Sequence, residues 1–303
     1  MPEFSTAAES QVATTPNHVR HFQWNDDYIE LLSHRLELAS VKTLVELGSG
    51  LGYLAGLFGL YMKPGSQVLG FEPSAEMVAE AEREAAERPY SVAHRFAQAE
   101  LHRLPLADGL ADLAISHHVL PNVPDAAAVV AEMTRVVRPG GRVVAFEPNH
   151  SVQSLVLDAD TRRYAPEDRL KLVRYQLYYE AGKRALGLGD DAVGDDLPRL
   201  FQAAGLQQIE VRISDKAAAL VPPYDTEEKQ ARIQELRDWL AEFQQNTERI
   251  RACFLAGGGS EAEWADYHDW EHAQSDRIAA GIQAGTYWHP GGMLTYIVIG
   301  TKA

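Results

Sequence analysis

The stretch Val45-Glu46-Leu47-Gly48-Ser49-Gly50-Leu51-Gly52 constrains this chain more than any other. Thr43 to Leu47 is apolar enough for a buried strand, and Leu51 to Met62 is rich in helix formers. The glycines between them let the backbone turn tightly against a ligand. A strand-turn-helix of this kind leaves backbone N–H groups exposed at a helix N-terminus, where they can hold a carboxylate or a phosphate. The spacing narrows the ligand. A dinucleotide fingerprint places its third glycine three residues after the second, and Tyr53 occupies that position while Gly52 comes one residue early. This weighs against NAD.

Further strand and helix segments follow in alternation. Gln67 to Phe71 reads as a strand that ends in Glu72-Pro73-Ser74, ahead of a helix over Ala75 to Arg88. A carboxylate at such a strand end can accept hydrogen bonds from both hydroxyls of a ribose. Next come the segment from Phe96 to Gly109, a strand over Ala111 to Ser116, and His117-His118-Val119-Leu120-Pro121-Asn122-Val123. A helix over Pro124 to Val137 carries Pro at its start and Asp125 in its first turn. Arg138-Pro139-Gly140-Gly141-Arg142 then turns into a strand over Val143 to Phe146. The alternation predicts right-handed βαβ units in an α/β, doubly wound, mostly parallel sheet, with a ligand at the carboxyl ends of its strands.

In order, these segments resemble the motifs of the class I S-adenosylmethionine-dependent methyltransferases, in particular the small-molecule methyltransferases related to quinone-biosynthesis methylases. The resemblance implies a seven-stranded Rossmann-like sheet and S-adenosyl-L-methionine as cofactor. It assigns Glu46, Gly48, Ser49, Gly50 and Gly52 to the methionine end of the cofactor, Glu72 with Pro73 to the ribose, and Gln98, Ala99 and Glu100 to the adenine. Gln98 stands where the family carries an acid; its carboxamide can accept from the adenine amino group and also donate. Ser116 and His117 fall near the transferring methyl, and Met293 to Gly300 corresponds to a closing strand inserted antiparallel beside strand six.

The segments divide the chain into an N-terminal tail and helix (1–40), a cofactor-binding core (41–150), a helical insertion (151–194), a core helix and strand (195–216), a second helical insertion (217–290) and a closing strand (291–303). Helical sequence dominates Ser151 to Leu188, then Asp225 to Phe254 and Glu261 to Ala284; Gly257-Gly258-Gly259-Ser260 reads as a turn, because no strand precedes it. A helix from Asp196 ends at Gly205 and leads into a strand over Gln207 to Ile213. The two insertions are expected to form a helical cap over the active site.

Charge restricts the partners. With 28 basic and 43 acidic residues the chain has a net charge of −15 and no dense Lys/Arg run, which disfavours a nucleic-acid partner and fits a small-molecule acceptor. One cysteine, Cys253, excludes an internal disulfide and a Cys-rich metal cluster. No secretory leader and no apolar run of membrane-spanning length are visible, so the expected location is cytoplasmic, without a membrane partner. An oligomer could form through the helical insertions.

Methyl transfer from a sulfonium is an in-line displacement that the protein assists by alignment and exclusion of water. A hydroxyl or carbon acceptor also calls for a general base, and the candidates are His117, His118 and His289. The pairs His18/His21 and His268/His272 have helical spacing but lack a third ligand, so exposed helix faces account for them and no metal is expected. Tyr175, Tyr178, Tyr179, Trp264, Tyr267, Trp270, Tyr287 and Trp288 cluster in the insertions and closing segment, where they can pack a cap or line an acceptor pocket. The rival readings are a nucleotide-dependent oxidoreductase and a non-methylating protein that binds S-adenosylmethionine.

Overall fold

The structure, a computed structural model, describes residues 23–88, 91–153, 161–292 and 294–303. It opens with helix α1 (Asp26–Arg35), whose Asp26 and Asp27 lie in the first turn and His34 and Arg35 in the last, matching the helix dipole at both ends. Then follow β1 (Thr43–Leu47), α2 (Tyr53–Gly59), β2 (Gln67–Glu72), α3 (Ala75–Glu87), β3 (Ala93–Gln98), β4 (Ala111–His117), α4 (Ala126–Val136) and β5 (Val137–Pro148). After a helical turn at His150–Gln153 come α5 (Pro166–Ala185), α6 (Val193–Ala203), β6 (Leu206–Ile213), α7 (Glu227–Gln245), α8 (Thr247–Ala256), α9 (Glu261–Ala284) and β7 (Thr295–Lys302).

The seven strands form one sheet in the order β3-β2-β1-β4-β5-β7-β6. The pairs from β3 to β5 are parallel, and β7 runs antiparallel between β5 and β6. This is the doubly wound sheet expected, with its strand order reversing between β1 and β4. In such a sheet the crevice for a ligand opens beyond the carboxyl ends at that reversal. The Pro139-Gly140-Gly141 turn is absorbed as a bulge: Ala111 pairs with Val137, yet Leu113 pairs with Arg142.

Alternation along β1 builds the two cores. Leu44 packs with Ile29, Leu32, Leu54 and Phe58 from α1 and α2, whereas Val45 and Leu47 belong to the cluster containing Val129, Met133, Leu197 and Phe201 from α4 and α6. Helices on both faces explain why all five residues of β1 are buried. Each fully buried aliphatic or aromatic side chain contributes about 1.5–3 kcal/mol, so the central strands anchor the loops that follow them.

The helices inserted between β5 and β7 have small cores of their own. Leu220, Ile233, Ile278, Ile282 and Tyr287 form one, and Tyr175, Phe254 and Trp264 form another where α5, α8 and α9 meet. Close approach of α5 to α8 needs glycine: a Cβ on Gly182 would collide with the Cys253 carbonyl.

Several boundaries differ from those expected. The helix after the first glycine loop runs only from Tyr53 to Gly59, because Gly52 holds a left-handed conformation at its N-cap. The helix expected from Asp196 starts at Val193, and the strand expected over Val143 to Phe146 extends in both directions. The continuous helix expected over Asp225 to Phe254 is broken at Asn246, whose side-chain amide donates to the Glu242 carbonyl at 3.1 Å and competes with the backbone ladder. The closing strand runs from Thr295 to Lys302, and Met293, where it was expected to begin, lies outside the described residues.

Candidate active site

The crevice is built first from backbone. Gly48, Gly50 and Gly52 have φ of 68°, 52° and 73°, and a Cβ on Gly48 would strike the Val119 side chain. Only glycine meets both demands there, a left-handed turn and close approach to the loop after β4. The turn is tied to the end of β2: Gly48 and Ser49 N–H donate to the Phe71 carbonyl at 2.7 and 3.0 Å, and Gly50 N–H donates to Glu72 Oε2 at 3.1 Å.

Glu72 is 5% exposed, and its Oε1 also accepts from Ser74 N–H at 3.2 Å. The carboxylate therefore sits between the glycine loop and the start of α3, where Ser74 caps the helix by accepting from Met77 N–H. Pro73 follows it, and its carbonyl accepts from the Gln98 side-chain amide at 2.8 Å. Gln98 pairs in register with Glu72, and Ala99 N–H donates to the Glu72 carbonyl at 3.1 Å. Gln98 and Glu100 are exposed and Ala99 half-buried, so this edge of the crevice faces solvent. Glu46 is 2% exposed and lies on the α1/α2 side of the sheet, two residues after Leu44.

The residues present suit an adenosyl ligand with a charged amino-acid end. The Ser49 hydroxyl is buried in the glycine turn and has no hydrogen-bond partner among the described residues, a cost that a polar ligand removes. The glycine turn tolerates no side chain at Gly48 or Gly52, where a Cβ would strike Val119 or Phe96.

At the end of β4 the sequence had drawn attention to Ser116, His117 and His118, but the organising group is Glu147 on β5. Glu147 is fully buried; its Oε1 accepts from the Ser116 hydroxyl at 2.7 Å and its Oε2 from Val119 and Leu120 N–H at 2.9 and 3.2 Å. Burial pushes its carboxyl up to about 8, against the pull of those three donors. The Ser116 hydroxyl is thus engaged with Glu147 beneath the crevice. His118 takes φ 56° with its N–H on the Phe146 carbonyl at 2.9 Å. The His117 ring lies 4.4 Å from that of His118, 5.7 Å from Trp24 and 6.3 Å from Phe146.

A cavity of about 670 Å³ adjoins this end of the sheet. Asn122 and His150, from the loops after β4 and β5, form part of its wall, and α5, α7, α8 and α9 supply most of the rest. His289 lines it, stacked on Tyr287 at 6.3 Å and accepting from Gly291 N–H on Nδ1 at 2.9 Å. His117 and His118 are not among its lining residues. The predicted base candidates therefore separate: His117 packs against Trp24 with His118 beside it, and His289 opens into the cavity. His18 and His21 lie outside the described residues. His268 and His272 approach to 3.1 Å between Nε2 atoms, and no cluster of three metal-ligating side chains occurs among the described residues.

Two cavity groups escaped the sequence reading. Lys183 of α5 and Asp191 form a buried ion pair, and Lys183 Nζ also reaches Asn122 Oδ1 at 3.4 Å, tying the inserted helix to the loop after β4. Glu271 of α9 is 9% exposed, and burial pushes its carboxyl up to about 7. A signal was present: Tyr267, Trp270, Glu271, Gln274 and Ile278 recur at helical spacing, so a carboxylate sits on an otherwise core-like stripe.

Residues 45–145 match a family model described as methyltransferase domain. The chain is 29% identical over 245 residues to an uncharacterized 37.1 kDa protein in transposon TN4556 of Streptomyces fradiae, covering 79% of this chain and 61% of that protein. It is 26% identical over 190 residues to an arsenite methyltransferase of Halobacterium salinarum, covering 63% and 44%. The chain thus spans less than two thirds of either relative. Among solved structures, the YcgJ protein of Bacillus subtilis superposes with a TM-score of 0.51 at 18% identity, over 92% of this chain and 99% of that one, a likeness of fold.

Proposed function

We propose that this chain, a member of the class I S-adenosylmethionine-dependent methyltransferases, transfers a methyl group to a small-molecule acceptor held between the sheet and its inserted helices. One observation carries the proposal: the glycine turn, Glu72 and the loop after β4 converge at the strand-order reversal, and a cavity of about 670 Å³ opens beside that loop. Its volume falls in the range of sites for drug-sized ligands.

The cofactor supplies a methyl group made electrophilic by its sulfonium. Glu46 and the turn from Gly48 to Gly52, with Ser49, hold its amino-acid end. Glu72, already fixed by Gly50 and Ser74, offers its remaining lone pairs to the ribose hydroxyls, with Pro73 alongside. Gln98 and the Ala99 to Glu100 backbone face the adenine. Ser116 acts through Glu147, which holds the Val119 and Leu120 amides, and so keeps His117 and the loop below the methyl in place. The inserted helices act as a cap, orienting the acceptor and excluding water; such alignment can be worth about 7–11 kcal/mol. Of the candidates His117, His118 and His289, His289 lines the cavity, together with His150.

Calorimetric titration with S-adenosylmethionine, S-adenosylhomocysteine and NAD tests the assignment. Micromolar binding of the two adenosyl sulfur compounds, about 8 kcal/mol, is expected, with loss in Glu72→Ala and no response to NAD. Tight NAD binding without the others would overturn it in favour of an oxidoreductase; binding without turnover to the demethylated product would favour a non-methylating protein.

A further inference from the structure

Four carboxylates line the cavity, and their partners differ. Asp191 is paired with Lys183, and Glu235 with Arg232. Glu242 lies on α7. Glu271 instead has the hydroxyl of Tyr267, one turn earlier on α9, as its electrostatic neighbour. Burial lifts the Glu271 carboxyl more than the phenol pulls it down, so it keeps its basicity. The cations facing the cavity are Lys183, Arg232, Arg249 and Arg277, equal in number to the carboxylates, so the walls carry no surplus charge to draw an ionic acceptor. Flat rings make up much of the remainder: Tyr179, Trp239, Phe243, Trp270 and Tyr287. Such walls suit a planar, uncharged molecule.

We propose that the acceptor is an aromatic compound bearing a phenolic hydroxyl, and that Glu271 takes its proton. This rests on the methyltransferase assignment above. As the acceptor oxygen bonds to the methyl carbon, the carbon–sulfur bond breaks with its electron pair left on sulfur, and the hydroxyl proton passes to a Glu271 carboxylate oxygen. The products are an aryl methyl ether, the demethylated cofactor and a carboxylic acid that returns its proton to solvent. Burial lifts Glu271 to about 7 and the Tyr267 hydroxyl well above its ordinary value, so the carboxyl is poised near neutrality while the tyrosine stays a donor.

The intact chain, loaded with S-adenosylhomocysteine, is titrated with 2-naphthol by calorimetry between about pH 5.5 and 8.5. His150 and His289 also line the cavity, so His289→Asn and His150→Asn are measured alongside Glu271→Gln. Naphthol affinity is expected to rise about tenfold with pH in the wild type, as the hydrogen bond becomes charge-assisted, and to stay flat in Glu271→Gln alone. With S-adenosylmethionine, Glu271→Gln should slow naphthol methylation by about 10²- to 10⁴-fold but spare pentafluorophenol, which is already ionised in neutral water. Unchanged cofactor affinity shows that the variant is folded. A wild type that binds S-adenosylhomocysteine but not naphthol, or a Glu271→Gln profile parallel to the wild type, overturns the proposal. Failure to bind S-adenosylhomocysteine instead rejects the methyltransferase assignment.

Discussion

The crevice and the cavity are built in opposite ways. The crevice comes from turns that each follow directly on one strand, and its shape is set by backbone: three glycines at positive φ, the Phe71 carbonyl and the Glu72 carboxylate. The cavity is assembled from side chains on α5, α7, α8 and α9, far apart in sequence. Local chain geometry therefore governs the first, and tertiary packing the second. Damage to one should leave the other largely intact unless it passes through the loop that both share.

That shared loop gives the largest expected effect. Glu147→Ala leaves the Ser116 hydroxyl and the Val119 and Leu120 amides buried without an acceptor. At about 1–3 kcal/mol for each orphaned group, a loss of about 4 kcal/mol in urea denaturation is expected. Glu147→Gln should cost about 1 kcal/mol, because its amide oxygen serves both N–H groups and its NH₂ donates to Ser116. The glutamine also tests the protonation state. Glu147 is raised from an ordinary 4.5 to about 8, so the folded state holds a proton that the unfolded state releases. Its contribution is full below about pH 4.5 and is lost as pH rises towards 8, and Glu147→Gln should flatten that decline. Equal stability losses from alanine and glutamine would mean that Glu147 does not organise the loop.

Asp191→Ala probes the cavity side. It leaves the Lys183 ammonium buried without its counter-charge, with an expected cost of about 3 kcal/mol, mostly recovered in Lys183→Met/Asp191→Leu. Affinity for S-adenosylhomocysteine should stay within about threefold, since the pair reaches the shared loop only through the 3.4 Å contact of Lys183 with Asn122 and makes no hydrogen bond to the glycine turn or to Glu72. A collapse of that affinity would break the separation of the two regions. Gly48→Ala makes the reciprocal test: left-handed alanine costs about 1–2 kcal/mol, and contact with Val119 adds to it. Affinity for S-adenosylhomocysteine should fall about 100-fold, equivalent to about 2.7 kcal/mol, while the naphthol site persists.

The same contrast explains what could be read from sequence. Gly48, Gly50, Gly52 and Glu72 were legible because a turn at a strand end leaves its signature in consecutive residues. The alternating strands from Thr43 to Phe146 were legible for a related reason: burial on both faces imposes a run of apolar residues that periodicity detects. Glu147 was not, because its importance lies in donors 27 to 31 residues away on a neighbouring strand and loop. Glu271 left only a weak trace, a charge on an otherwise core-like helical stripe; its environment depends on where α5 and α7 pack.

The smallest effect concerns the break between α7 and α8. Helical sequence continues through Asn246, yet the chain turns there, with Asn246 at φ −100°, ψ 16° and its side-chain amide on the Glu242 carbonyl. Thr247 adds to the break by donating its hydroxyl to the Phe243 and Gln244 carbonyls at 3.2 and 2.9 Å. Asn246→Ala removes one competing hydrogen bond and improves helix propensity by a few tenths of a kcal/mol, so stability should change by less than about 1 kcal/mol. The informative readout is binding. Glu242 and Phe243 precede the break, Arg249 and Ile250 follow it, and all four line the cavity, so a straightened helix would move one pair relative to the other. If packing against α9 holds the break, naphthol affinity in Asn246→Ala stays within about twofold of the wild type, a difference under about 0.5 kcal/mol. A larger loss with unchanged affinity for S-adenosylhomocysteine would show that one side chain sets the cavity's shape, and that part of the cavity is written locally after all.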